Sequence, residues 1–94
     1  MNLFHEPERI YIENEAREIV AFVTFPHIEE HTVCIEHTFV DESERGNGLA
    51  GKLMKALVKI LESTKQKAEI RCSYAESWFQ KHPEYAHLLA AKKD

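Results

Sequence analysis

The chain has 94 residues, 44% hydrophobic and 30% charged, a globular balance sized for one domain over residues 1–94, with no room for a second. Twelve basic against sixteen acidic residues leave a net charge of −4, so nucleic acid is not an expected partner, because binding it needs a basic face to neutralise phosphates. No apolar run approaches the roughly 20 residues that span a bilayer, residues 1–8 lack the basic start and apolar core of a signal peptide, and Cys34 and Cys72 show no CxxC spacing, so a cytoplasmic protein with free thiols and no membrane partner is expected.

In chain order, residues 9–13 alternate polar and apolar, with Ile10 and Ile12 on one face, and Asn14-Glu15 reads as a turn. Residues 18–25 are rich in Val, Ile and Phe and read as a buried strand that completes a hairpin. Residues 26–31 form a polar connector. Residues 32–40 read as one strand, with Val33, Ile35, His37 and Phe39 on one face and Cys34, Glu36, Thr38 and Val40 on the other. An acidic loop, Asp41-Glu42-Ser43-Glu44, follows. From residue 47 to 63 the period becomes helical: Leu49, Leu53, Leu57 and Leu61 recur at four-residue spacing, flanked by Ala50, Met54, Val58 and Ile60. Residues 67–73 form a short strand, 74–81 a short helix, and 83–91 another with proline in its first turn. This order predicts an α+β domain with a mixed, mostly antiparallel sheet, one long helix and two short ones, its strand–helix–strand unit making the parallel pair.

All three glycines, Gly46, Gly48 and Gly51, fall within six residues between a strand and the long amphipathic helix. Glycine permits positive φ and close approach of a ligand to the backbone. The first N–H groups of a helix lack internal partners and carry partial positive charge. Together these make an anion site suited to phosphate, with Arg45 at its mouth; a tight turn for helix–sheet packing is the plainer alternative. The pattern is neither a P-loop nor GxGxxG.

Arg45-Gly46-Asn47-Gly48-Leu49-Ala50 resembles the R-x-x-G-x-A acyl-CoA motif of the GNAT superfamily of N-acetyltransferases. Glu36-His37-Thr38-Phe39-Val40, Cys72-Ser73-Tyr74 and Trp78-Phe79-x-Lys81-His82-Pro83-Glu84-Tyr85 are similar to a compact, YjdJ-like subgroup of it. The resemblance implies a compact GNAT-like fold and acetyl-CoA or coenzyme A as co-substrate. It implies that the backbone from Arg45 through Gly46, Asn47, Gly48 and Leu49 to Ala50 binds pyrophosphate. Phe39-Val40 would pair with the pantetheine arm, between strands that splay apart. Full-size members carry helices between their first two strands; here only a turn separates them, so the acceptor side should be open.

Acyl transfer to an amine needs a base, an oxyanion site and a leaving thiolate. His37, on the strand leading into the glycine turn, is the candidate base; the alternative is a histidine bonded within the sheet. Cys72 would carry the acyl group or protonate the departing thiolate; otherwise it is a small buried hydrophobe. Tyr74 and Tyr85 are nearest for the acid role that the superfamily often gives a tyrosine, though spacing favours neither. His31-x-x-Cys34-x-x-His37 does not converge on a strand, so no metal is expected. The leading expectation is an acetyl-CoA-dependent N-acetyltransferase acting on an amine, either a small molecule or a protein lysine. A non-catalytic coenzyme A-binding module is the alternative from another class.

Overall fold

Residues 1–90 are described by a computed structural model. Pairing begins earlier than the sequence pattern suggests, because β1 (Asn2–Glu6) runs antiparallel to β2 (Arg9–Glu13) as an edge strand. Every β1 residue is exposed. A strand with no buried face has no alternation to betray it, and this one is held by the ladder and by Phe4 stacked on Tyr11 at 5.2 Å.

β2 pairs with β3 (Ile19–Thr24) through a turn in which Asn14 Oδ1 accepts the Glu18 N–H at 3.0 Å and Arg17 sits at positive φ. The inner face of this hairpin carries Ile10, Ile12, Ala21 and Val23, each no more than 2% exposed. Pro26 interrupts the next stretch, since it has no N–H to give a ladder. Beyond it the expected connector contains a short strand, β4 (His27–Glu29).

The single strand expected over residues 32–40 is two strands in two sheets. β5 (Thr32–Ile35) lies between β4 and the parallel strand β7 (Lys67–Ile70), whereas β6 (His37–Val40) turns away at Glu36 to pair antiparallel with β3. The β5–β7 register ends at Ile35 opposite Ile70, with a last rung from Arg71 N–H to the Ile35 carbonyl at 2.9 Å, while Glu36 N–H donates to the Thr24 carbonyl at 3.0 Å. Beyond that rung β6 and the chain leaving β7 are no longer paired, and a wedge opens between them. The result is an antiparallel four-stranded sheet, β1-β2-β3-β6, continued by a three-stranded sheet, β4-β5-β7.

Helix α1 (Leu49–Thr64) covers the inner face. Leu49, Leu53, Met54, Leu57, Val58 and Leu61 are buried, as the four-residue period requires. Each fully buried leucine contributes roughly 1.5–3 kcal/mol relative to exposure. The helix starts at Leu49 rather than residue 47 because Gly48, at φ 74°, is its N-cap. It ends in Lys65 at φ 56°, whose N–H returns to the Glu62 and Leu61 carbonyls.

β7 stops at Ile70, so Cys72 caps a helix instead of ending a strand: α2 (Ser73–Lys81) begins at the next residue. Trp78 and Phe79 bury that helix against the core, and Trp78 stacks on His82 at 3.9 Å and on Tyr85 at 5.6 Å. The expected last helix is a 3₁₀ helix, Pro83–Leu88; residue 91 lies outside the described residues. Ala90 N–H then bonds the Ala68 carbonyl at 2.8 Å. Among the described residues no helix is long and apolar enough to cross a membrane.

Candidate functional site

The loop between β6 and α1 is built to present backbone. Asp41 accepts from the Ser43 N–H at 3.1 Å and from the Ser43 hydroxyl, starting a 3₁₀ turn over Glu42–Glu44. Those two hydrogen bonds hold the Asp41 carboxyl below its ordinary pKa. Asn47 N–H bonds the Glu44 carbonyl at 3.3 Å, and its side-chain amide donates to Glu44 Oε1 at 3.2 Å. Gly46 and Gly48 take φ of 90° and 74°, a region that favours glycine.

The first turn of α1 has no side-chain cap, and Lys52 N–H is the first to close a helical bond, to the Gly48 carbonyl at 3.1 Å. The N–H groups of Leu49, Ala50 and Gly51 therefore precede the intrahelical ladder. A Cβ built on Gly46, Gly48 or Gly51 would meet nothing within 4 Å. The space beside them is a cavity of about 320 Å³, lined by Val40, Arg45, Gly46, Gly48, Ala50 and Tyr74 among others. An anionic group fits here: unbonded backbone donors at a helix N-terminus, one arginine at the rim and open room above the glycines. Leu49 contributes backbone alone, since its side chain is in the core at 4% exposure.

Cys72 stands across the wedge from β6. Its Sγ lies 3.4 Å from Thr38 Oγ1, joining the two splayed arms by their side chains. Burial pushes the Cys72 thiol up, but hydrogen bonds from the Thr38 hydroxyl and from backbone N–H groups of Ala75, Tyr74 and Thr38 outweigh it, and the thiol lies below its ordinary value. Cys34 contrasts with it: fully inside β5, its thiol is raised by burial, with Glu36 and Glu69 adding and Arg71 opposing. Tyr74, two residues into α2, reaches the glycine-turn cavity. Burial, followed by the Cys72 charge, raises its phenol and keeps it protonated.

His37 and Cys72 do not face one another. The register sets His37 opposite Thr24 and Thr38 opposite Val23, so His37 projects from the outer face with Phe39, while Thr38 and Val40 point inward. Phe39 is 40% exposed on that outer face. It and Val40 lie on a strand whose second edge has no ladder partner, which leaves backbone donors and acceptors along the wedge. His31 and His37 are exposed and Cys34 is buried, so the three do not converge; among the described residues no three His, Cys, Asp or Glu side chains could share a metal. The sequence pattern does not single out Thr38; of the two tyrosines it offers, the cavity wall holds Tyr74. Alternation sets Thr38 apart from His37, but only the cap position of Cys72 brings the thiol to it.

A strand that splays from its parallel neighbour, followed by a glycine turn at a helix N-terminus, defines an acyl-CoA N-acyltransferase type of fold. The family model described as GCN5-related N-acetyl-transferase matches residues 9–88, and the chain belongs to that family. A GCN5-like protein from Staphylococcus aureus, solved by NMR, is similar over 98% of this chain and 90% of its own, with TM-score 0.79 and 23% identity. The GNAT family N-acetyltransferase YhbS of Escherichia coli, crystallised in complex with CoA, is similar over 66% of this chain and 38% of its own, with TM-score 0.58 and 19% identity. Protein NATD1 of Xenopus tropicalis is 29% identical over 63 residues, covering 67% of this chain; the match spans 58% of that relative's length.

Proposed function

We propose that the chain is a compact N-acetyltransferase of the YjdJ-like type, a single domain over its 94 residues, that moves an acetyl group from acetyl-CoA to an amine. The observation that carries this reading is a joint one. The glycine-turn cavity, with its free helix-start donors, also has Tyr74 in its wall, two residues from a thiol of lowered pKa that bonds Thr38 across the splay. That a fold neighbour, YhbS, was crystallised in complex with CoA supports coenzyme A as the ligand.

In this reading the turn from Arg45 to Ala50 holds pyrophosphate on the N–H groups other than those of Arg45 and Asn47, which bond the Glu42 and Glu44 carbonyls, and the free edge of Phe39-Val40 pairs with the pantetheine arm. Bound acetyl-CoA supplies a thioester carbon open to attack by nitrogen. His37 receives the proton that the amine loses, on the outer face beside the wedge. Tyr74, kept protonated, gives its phenolic proton to the departing sulfur. Cys72 either shares that role as the thiol or, as the thiolate, takes the acetyl group on Sγ, displacing the coenzyme thiolate, and passes it to the amine. A second reading, a coenzyme A-binding module without turnover, draws on the short turn between β2 and β3, which carries no helix.

Incubation with acetyl-CoA and an amine panel, followed by thiol release and intact mass, separates these readings. Turnover with an amine is expected. A one-acetyl adduct lost in Cys72→Ala marks the covalent route, and turnover without an adduct marks direct transfer. Coenzyme binding with no turnover across the panel would leave the module, and no binding at millimolar coenzyme would overturn both.

A further inference from the structure

The outer face of the four-stranded sheet carries one aromatic ring from every strand in a single row. Phe4 stands opposite Tyr11, Tyr11 opposite Phe22, and Phe22 opposite Phe39. Phe4 stacks on Tyr11 and Phe22 on Phe39, both at 5.2 Å. The two end rings are 39% and 40% exposed, and α1 lies on the opposite face. Single exposed apolar side chains are ordinary, whereas the largest contiguous apolar patch of a monomer, typically about 300–600 Å², is often functional.

The row has a direction. It ends at Phe39, on the edge strand beside the wedge, next to Thr38 and two residues beyond His37. It also has a charge preference. Its cation, Arg9, already lies over Tyr11 at 4.4 Å and is bound to Glu6 at 2.6 Å, and Glu13 follows Tyr11 by two residues on the same face of β2. The whole chain carries −4. Aromatic faces attract ammonium groups, and the flanking carboxylates do the same.

The extent of the row argues against a second copy. Four strands about 4.8 Å apart, with two or three outward residues each, give a patch of roughly 300 Å². Two such patches bury about 600 Å² in total, half of the roughly 1,200 Å² at which stable complexes begin. A flat open face likewise lacks the concavity that encloses a small molecule.

We propose that this aromatic face is the docking platform for a lysine-bearing polypeptide segment, which lies across the rings from Phe4 to Phe39 and delivers one lysine amine to the wedge. The proposal rests on the acyl-transfer reading of the wedge and adds where the acceptor sits and what it is. Lysine stems cover the rings, while an ammonium group sits beside Glu13, the carboxylate of this face that Arg9 does not hold.

The test uses a blocked hexapeptide of alternating lysine and leucine, with spermidine as a small polyamine control, titrated into ¹⁵N-labelled protein with and without acetyl-CoA. Peptide-induced shifts are expected in β1, β2, β3 and β6 in both conditions. Phe4→Thr and Tyr11→Thr keep strand propensity and lie roughly 10–15 Å from Phe39. They should weaken the peptide at least five-fold and raise its KM, with kcat and coenzyme affinity unchanged. The shift map of the unmodified protein stands even if a variant fails to fold. Absence of shifts on this face would overturn the platform. So would spermidine binding there as tightly as the peptide, or self-association of the protein that Phe4→Thr abolishes. If acetyl-CoA neither binds nor turns over while the peptide still maps to the rings, the acyl-transfer reading fails and the docking face survives it.

Discussion

Alanine at Gly48 and at Gly51 should change stability in opposite directions and weaken coenzyme binding in both cases. Gly48 is the N-cap of α1 at φ 74°, where a Cβ meets no atom within 4 Å. The penalty of Gly48→Ala is therefore conformational, about 1–2 kcal/mol for an L-residue forced into the left-handed region. For a domain of this size that lowers Tm by roughly 4–16 °C. Gly51 lies inside α1 without a positive φ, and its Cβ also meets open space. Gly51→Ala should stabilise the free protein by about 0.5–1 kcal/mol, raising Tm by roughly 2–8 °C. Both positions line the cavity at the helix start, so the added methyl groups stand where the ligand's phosphates are to lie. Thermal melts followed by circular dichroism give the stability terms, and calorimetric titration with coenzyme A gives the affinities. A higher Tm with weaker coenzyme binding in Gly51→Ala is the diagnostic pair, because a purely structural glycine turn has no reason to couple them. Unchanged coenzyme affinity in both variants would refute the cradle.

Cys72 should be alkylated by iodoacetamide with a pH midpoint below the ordinary thiol value of 9.0, and Thr38→Val should move that midpoint upward by removing the hydroxyl that bonds the sulfur. Cys34, buried and raised, should react only on unfolding; rapid native labelling at Cys34 would contradict its placement in β5. The Glu8 carboxylate accepts from the His27 backbone N–H at 2.5 Å and contacts its ring Nδ1 at 2.9 Å, and these hydrogen bonds lower its pKa from the ordinary 4.5. A depressed folded pKa means that its stabilisation is complete above pH 4.5 and is lost as pH falls through the folded value. The urea midpoints of the native protein and Glu8→Gln should therefore differ near neutral pH and converge in acid; a constant gap would show that the charge contributes nothing. Leu57→Ala, deleting a fully buried side chain beneath the sheet, should cost about 2–5 kcal/mol, read from denaturant melts; a cost under about 1 kcal/mol would place α1 elsewhere.

The parts of the fold with a strong one-sided pattern were legible in the sequence. Leu49, Leu53, Leu57 and Leu61 are all buried as their spacing requires, and Ile10 and Ile12 face inward together. What the pattern could not carry was pairing decided by distant partners. Nothing between Thr32 and Val40 breaks strand propensity. The change of partner at Glu36 arises because β7 claims β5 while β3 claims β6. β1 carries no signal for the opposite reason: exposed along its whole length, it needs no hydrophobic alternation. In the site, the glycine cluster pointed to a helix start, and two of its glycines adopt the positive φ that such a turn requires. Reading Cys72 as the end of a strand set it with Ala68 and Ile70. As the cap of α2 it turns instead to Thr38, on the face of β6 away from His37.

The central claim, that the glycine turn and the adjoining wedge hold an acyl-coenzyme, is tested most directly by titrating ¹⁵N-labelled protein with acetyl-CoA and following each backbone amide. Saturable shifts are expected at Gly46, Gly48, Leu49, Ala50 and Gly51, extending along Phe39 and Val40 to Cys72 and Tyr74, with those of β1 unmoved. Shifts that bypass residues 45–51, or none at millimolar acetyl-CoA, would contradict it.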